Sequence, residues 1–107
     1  MRPLVAELVS LGPLPSESEA SEAFLDRFDS LLSLTRSELS EKPLTDDEVR
    51  ALVGLFGPDN AYGLAWSLLH LIETAPNWPL DDCLKDPSNE WVRRLKGGVE
   101  TARRLQA

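Results

Sequence analysis

The sequence predicts an all-α fold, a single-domain bundle or stack of four to five antiparallel helices. Three observations lead to this prediction. No segment alternates apolar and polar residues for long, as a half-buried strand would. Apolar residues instead recur at three- and four-residue steps, which is the helical period. Proline, glycine and capping residues then divide these segments from one another.

The first predicted helix covers residues 3–11, and Gly12 followed by Pro13 ends it. With a short linker it forms residues 1–15, which we expect to be loosely attached to a single helical domain spanning 1–107. The second predicted helix covers 18–40. Three acidic residues lie at its predicted start, where the positive end of the helix dipole favours negative charge. They are Glu17, Glu19 and Glu22.

The third predicted helix covers residues 45–56 and has the clearest local signals. Thr45 is a natural N-cap, and Glu48 lies three residues on, which is the spacing of a capping box. Gly57 suits the left-handed position after the helix, and Pro58 prevents continuation.

The fourth predicted helix covers residues 60–74 and is apolar around most of its circumference, which indicates a buried central helix. The last predicted helix begins at Asp86, with Pro87 at its first position. Gly97 and Gly98 indicate a kink or a close helix contact in its middle. Its predicted core stripe consists of Trp91, Val92, Leu95, Val99 and Ala102.

The charge is uneven along the chain, with a formal net charge of −7. Residues 1–48 contain 11 acidic and 4 basic residues, whereas residues 49–107 contain 7 of each. This acidity disfavours nucleic-acid binding, because phosphate repels it, and favours a basic protein partner. A solvated acidic surface that only keeps the protein soluble is the alternative.

Four polar or aromatic residues form a ribbon on the predicted central helix: Tyr62, Trp66, His70 and Glu73. They predict either a small-molecule or enzymatic site or a seam packed on the next helix. His70 and Glu73 are too few ligands for zinc, so we expect no metal site.

Catalysis and cofactors are not expected. Cys83 lies near Asp81, Asp82 and Asp86, which disfavour the reactive thiolate. The single cysteine also rules out an intramolecular disulfide. The sequence contains no glycine-rich phosphate loop and no nucleophile elbow.

The loop after the central helix is the predicted contact surface. Trp78 lies before Pro79, which restricts the backbone, and close to Asp81 and Asp82. Such a tryptophan is typical of a binding hot spot, although it would also fit as a cap on the core. Further predicted contributors of charge are Glu17, Glu19, Asp46 and Asp47.

The run AWSLLHLIETAPNWP resembles a pattern in small bacterial proteins, some of which look like immunity proteins encoded beside secreted toxins. The resemblance covers about 20 residues and has no catalytic motif. It implies a small, acidic, non-enzymatic protein that binds another protein. Together with the absence of a signal-peptide pattern or an 18-residue apolar run, it leads us to expect a cytoplasmic immunity or inhibitor protein. We expect no contact with a membrane, and a homodimer stays open.

Overall fold

The computed structural model describes residues 1–106 and is all-helical across them. Five α-helices and one 3-10 helix pack around a single core. Their bounds are α1 Pro3–Leu11, α2 Glu22–Glu38, α3 Asp46–Val53, α4 Leu64–Glu73, the 3-10 helix Asp81–Leu84 and α5 Glu90–Gln106. The all-α helical bundle predicted from the periodicity is confirmed.

Residues 1–15, which we expected to be loosely attached, contribute to the core. Val5 and Leu8 of α1 are fully buried, and Leu14 is 2% exposed. The Leu14 backbone N–H donates to the Leu55 carbonyl at 2.9 Å. Apolar burial and a backbone hydrogen bond therefore both hold this segment against the domain.

The second helix begins at Glu22 rather than at residue 18. The Ser21 side chain accepts a hydrogen bond from the Phe24 backbone N–H at 3.1 Å and so caps α2. Residues 17–19 form a turn before the helix. Glu17 and Glu19 therefore precede α2, and the prediction that they lie in its first turn is wrong.

The predicted capping box of α3 is confirmed. The Glu48 N–H donates to Thr45 Oγ1 at 3.2 Å, and the Thr45 N–H donates to Glu48 Oε1 at 3.0 Å. Gly57, however, does not adopt the predicted left-handed conformation. A Cβ at this position would lie 1.9 Å from the Leu14 carbonyl oxygen, so glycine is required for the close approach of two backbone segments.

Helix α4 is the buried central helix that its composition predicts, but it begins at Leu64 and not at residue 60. Ala61 and Tyr62 have positive φ angles of 48° and 53°, and Gly63 follows at 94°. Left-handed residues cannot continue a right-handed helix. The residues of α4 that the core buries are Leu64, Ala65, Leu68, Leu69, Leu71 and Ile72.

Helix α5 also begins later than predicted, at Glu90. The Asn89 side chain accepts hydrogen bonds from the Trp91 and Val92 N–H groups at 2.9 and 3.3 Å, which is the geometry of an N-cap. The predicted stripe is buried from Trp91 to Val99. Ala102 is exposed, contrary to prediction, because the last turns of α5 extend past the core.

Candidate functional site

Two segments about 30 residues apart in the chain meet beside the start of α3. The Asn77 side-chain amide donates to Asp46 Oδ1 at 3.0 Å. Arg50 of α3 donates from Nε to Asp82 Oδ2 at 3.0 Å and from Nη1 to Asp47 Oδ1 at 3.3 Å. These contacts bring Asp82, and with it its chain neighbour Asp81, to the surface that contains Asp46 and Asp47.

Trp78 adjoins this surface and is half-buried, with one side packed against the core. It precedes a cis peptide bond to Pro79. The two residues line a groove of about 410 Å³ on α5, together with Glu73, Val99 and Arg103. Trp78 is therefore both part of the core margin and part of an open groove.

Arg103 joins this groove to the neighbouring acids, because its Nη2 lies 3.7 Å from Asp81 Oδ1. Trp78 and Arg103 thus line one groove, Arg103 also reaches Asp81, and Arg50 connects Asp82 to Asp47. We call this surface the acidic face and define it as Trp78, Asp46, Asp47, Asp81 and Asp82.

The carboxylates of the acidic face remain accessible although some are paired. The side chains of Asp47, Asp81 and Asp82 are 89%, 84% and 53% exposed. Hydrogen bonding from Arg50 holds the pKa of Asp82 below its ordinary value. The face therefore carries negative charge at neutral pH and presents it to solvent.

Glu17 and Glu19, the remaining predicted contact acids, are not joined to this face by any of these contacts. Glu17 instead holds Tyr62: its Oε1 accepts the Tyr62 N–H at 3.0 Å, and its carbonyl accepts the Tyr62 hydroxyl at 3.3 Å. Glu19 is exposed in the turn before α2. The structure thus separates the seven predicted contact residues into a group of five and these two.

The predicted ribbon on the central helix is only partly formed. Trp66, His70 and Glu73 lie on α4, with His70 Nδ1 3.3 Å from Glu73 Oε1 and the Trp66 and His70 rings stacked at 6.0 Å. Tyr62 precedes the helix. It lines a groove on the α2 side, whereas Glu73 lines the groove beside Trp78.

Trp66 packs against α5, the next α-helix along the chain, which is the contact that the seam alternative predicts for this residue. Its ring meets the Trp91 ring edge to face at 5.2 Å, and the Arg94 guanidinium lies 5.0 Å from its centroid. Trp66 remains 40% exposed and the His70 side chain 61% exposed. The ribbon is therefore neither an enclosed pocket nor a dry seam, but an open helix surface partly covered by Arg94.

Cys83 has the environment of an unreactive thiol. It is 8% exposed, and burial, followed by the charge of Asp82, raises its pKa. Across residues 1–106, no cluster of three or more histidine, cysteine or acidic side chains has the arrangement to hold a metal ion.

Comparison with known proteins identifies no relative of this chain: no family model, curated protein or solved structure matches it. In the part of the chain that the structure describes, no helix combines the length and apolar character needed to cross a bilayer.

Proposed function

We propose that this protein is a non-enzymatic protein-binding module that uses the acidic face to cover a basic surface of another protein. An immunity or inhibitor protein acts in this way. We propose that this protein has such a role and that it acts in the cytoplasm. The observation that carries the proposal is that the Asn77–Asp46 and Arg50–Asp82 hydrogen bonds hold the loop containing Trp78, Asp81 and Asp82 beside the first turn of α3, which contains Asp46 and Asp47.

The composition of this surface supports a protein partner. A half-buried tryptophan offers a large apolar area that is already held in place, which is characteristic of interface hot spots. The four carboxylates of the acidic face exceed the nearby cations Arg50, Arg103 and Lys85 by one, so the surface keeps a negative excess that attracts cationic groups. Such charge accelerates association with a basic partner and selects against acidic ones.

The alternative of a small-molecule or enzymatic site on Tyr62, Trp66, His70 and Glu73 has less support. Arg94 covers part of the Trp66 ring, and Tyr62 lies on a separate groove from Glu73. A ligand pocket ordinarily surrounds most of its ligand, whereas the His70 side chain lies on an open helix surface.

Co-purification with the product of the adjacent gene tests the proposal. Tagged wild-type protein is expected to retain that product and to relieve any growth inhibition that it causes. Asp47→Asn/Asp81→Asn, which removes two exposed charges from the acidic face, is expected to weaken binding about tenfold, mainly through slower association. Trp78→Ala is expected to weaken it further.

Glu22→Gln/Glu41→Gln is the matched control, since it removes the same charge from exposed positions outside the acidic face. Binding that falls equally in both double variants would indicate that only total charge matters. A tight complex unaffected by Trp78→Ala and Asp47→Asn/Asp81→Asn would contradict the proposal. Light scattering of the isolated protein at several concentrations separates this role from self-association.

A further inference from the structure

A second groove lies between α2 and α4, apart from the acidic face. It encloses about 420 Å³ and is lined mainly by Leu25, Asp26, Asp29, Tyr62, Leu64 and Ser67. This volume is within the range of grooves that hold small ligands. Tyr62 stands at its margin and is 67% exposed, the most exposed aromatic ring in the described chain.

Tyr62 is exposed but is held firmly from its backbone. Glu17 accepts both its N–H and its hydroxyl. Asp59 in turn accepts the N–H groups of Glu17 and Ala61 at 3.0 and 3.1 Å, and the Asp59 carbonyl accepts the Trp91 indole N–H at 3.1 Å. A ring fixed in this way loses little conformational entropy when a partner packs against it.

The charge of the groove is of one sign. Asp26 and Asp29 are three residues apart on α2 and therefore share a helix face. Neither forms an ion pair with another of the described residues. The groove lining includes no lysine, arginine or histidine. Its apolar floor comes from Leu25 and Leu64.

We propose that this groove receives an arginine side chain of the protein partner. The guanidinium plane stacks on the Tyr62 ring and donates hydrogen bonds to Asp26 and Asp29, while the methylene stem packs on Leu25 and Leu64. Arginine fits better than lysine, because its planar, forked donor group suits both an aromatic face and carboxylates. The inference rests on the proposed function, since the arginine comes from the bound protein.

The experiment uses Tyr62 as its own probe, because it is the only tyrosine in the chain. Protein labelled with 3-fluorotyrosine has one ¹⁹F resonance, which is followed during titration with N-acetyl-arginine amide. A saturable shift at millimolar concentration is expected. N-acetyl-citrulline amide, which has a similar shape without the charge, is expected to bind at least roughly tenfold more weakly.

Asp26→Asn/Asp29→Asn is expected to remove the preference for arginine over citrulline, whereas Glu22→Gln on the same helix retains it. Circular dichroism confirms that the exposed substitutions leave the helices intact. Added salt provides a second measurement, since it weakens arginine binding to the wild type. Equal shifts with arginine and citrulline, or an arginine shift unchanged in the Asp26→Asn/Asp29→Asn variant, would overturn the proposal.

The two proposals fail in different ways. If substitution of Asp47 and Asp81 abolishes partner binding but arginine causes no shift at Tyr62, the acidic face is supported as the binding surface and the groove proposal is contradicted. If arginine causes a selective shift at Tyr62 but no protein partner binds, the groove is supported as a cation-binding site and the proposed function is contradicted.

Discussion

Arg2 and Glu48, 46 residues apart in the chain, form a buried ion pair between the start of α1 and the first turn of α3. Arg2 Nε lies 2.7 Å from Glu48 Oε2, and Arg2 Nη2 lies 3.0 Å from Oε1. The Arg2 backbone N–H also donates to Oε2 at 3.0 Å. The two side chains are 9% and 2% exposed, so these hydrogen bonds replace much of the hydration that both charges lose on burial.

The stability of the protein is expected to fall in acid because of this pair. Burial alone raises the pKa of Glu48, but hydrogen bonds from Arg2 and Thr45 outweigh it and lower the pKa from 4.5 to about 2. Because folding lowers this pKa, the ionised Glu48 carboxylate stabilises the folded protein above pH 4.5. That stabilisation is lost as the pH falls to about 2 and the carboxylate becomes protonated. A shift of this size corresponds to on the order of 3 kcal/mol.

Urea unfolding at several pH values between 2 and 7 measures this dependence. Because other carboxylates also titrate there, the comparison is with Glu48→Gln, which removes the charge and keeps the shape. The Glu48→Gln variant is expected to be less stable at pH 7 and to depend less on pH. Parallel pH profiles for the two proteins would show that the Glu48 charge does not stabilise the fold.

Gly57→Ala is expected to destabilise the protein by about 1–3 kcal/mol. Its Cβ would lie 1.9 Å from the Leu14 carbonyl oxygen and 2.8 Å from the carbonyl carbon, so the backbone has to move. Gly97→Ala is the matched control: its Cβ meets nothing within 4 Å in α5, and alanine is expected to stabilise that helix by about 0.5–1 kcal/mol. Thermal unfolding compares the two, and equal effects would contradict the close approach.

Tyr62→Gly is expected to be more stable than Tyr62→Ala by about 1 kcal/mol. Both variants lose the ring, but only glycine is free of the steric cost of φ 53°. The order is the reverse of that in an ordinary helix, where alanine is favoured. Urea unfolding of the two variants measures the difference, and an alanine variant of equal or greater stability would argue against a left-handed Tyr62.

The Cys83 thiol is expected to react with an aromatic disulfide reagent at least about tenfold more slowly than free cysteine at pH 7. Burial hinders access, and the raised pKa lowers the fraction present as thiolate. The same protein unfolded in urea is the control and is expected to react at the rate of a free thiol. A fast reaction in the native protein would reopen a nucleophilic role for Cys83.

Local patterns predicted the existence of each α-helix well and the starting residues less well, whereas the 3-10 helix Asp81–Leu84 lies in a segment predicted to be a loop. The capping box of α3 involves residues three apart, so its bonds follow from the sequence. Helices α2 and α5 begin at the caps Ser21 and Asn89, which compete with equally suitable neighbours such as Ser18 and Asp86. Asp86 instead accepts hydrogen bonds from the N–H and hydroxyl of Ser88.

The candidate sites depended more on contacts between distant residues. Trp78, Asp81 and Asp82 were recognisable as neighbours in sequence, but their proximity to Asp47 required Arg50 to bridge two segments. The four-residue spacing of Tyr62 from Trp66 predicts that both lie on one helix. Instead, the Tyr62 N–H donates to the Glu17 carboxylate, 45 residues away in the chain, and the Ala61 N–H donates to Asp59. These two hydrogen bonds hold the turn that contains Tyr62.

The sequence by itself determined the all-α class, the central position of α4, the capping of α3 and the excess of acidic charge. These properties depend on composition and on residues within a few positions of one another. Only the tertiary structure decided that Arg2 meets Glu48, that Gly57 lies against Leu14, and that the acids divide between two surfaces. Such contacts result from the packing of whole helices, which places side chains together irrespective of their distance along the chain.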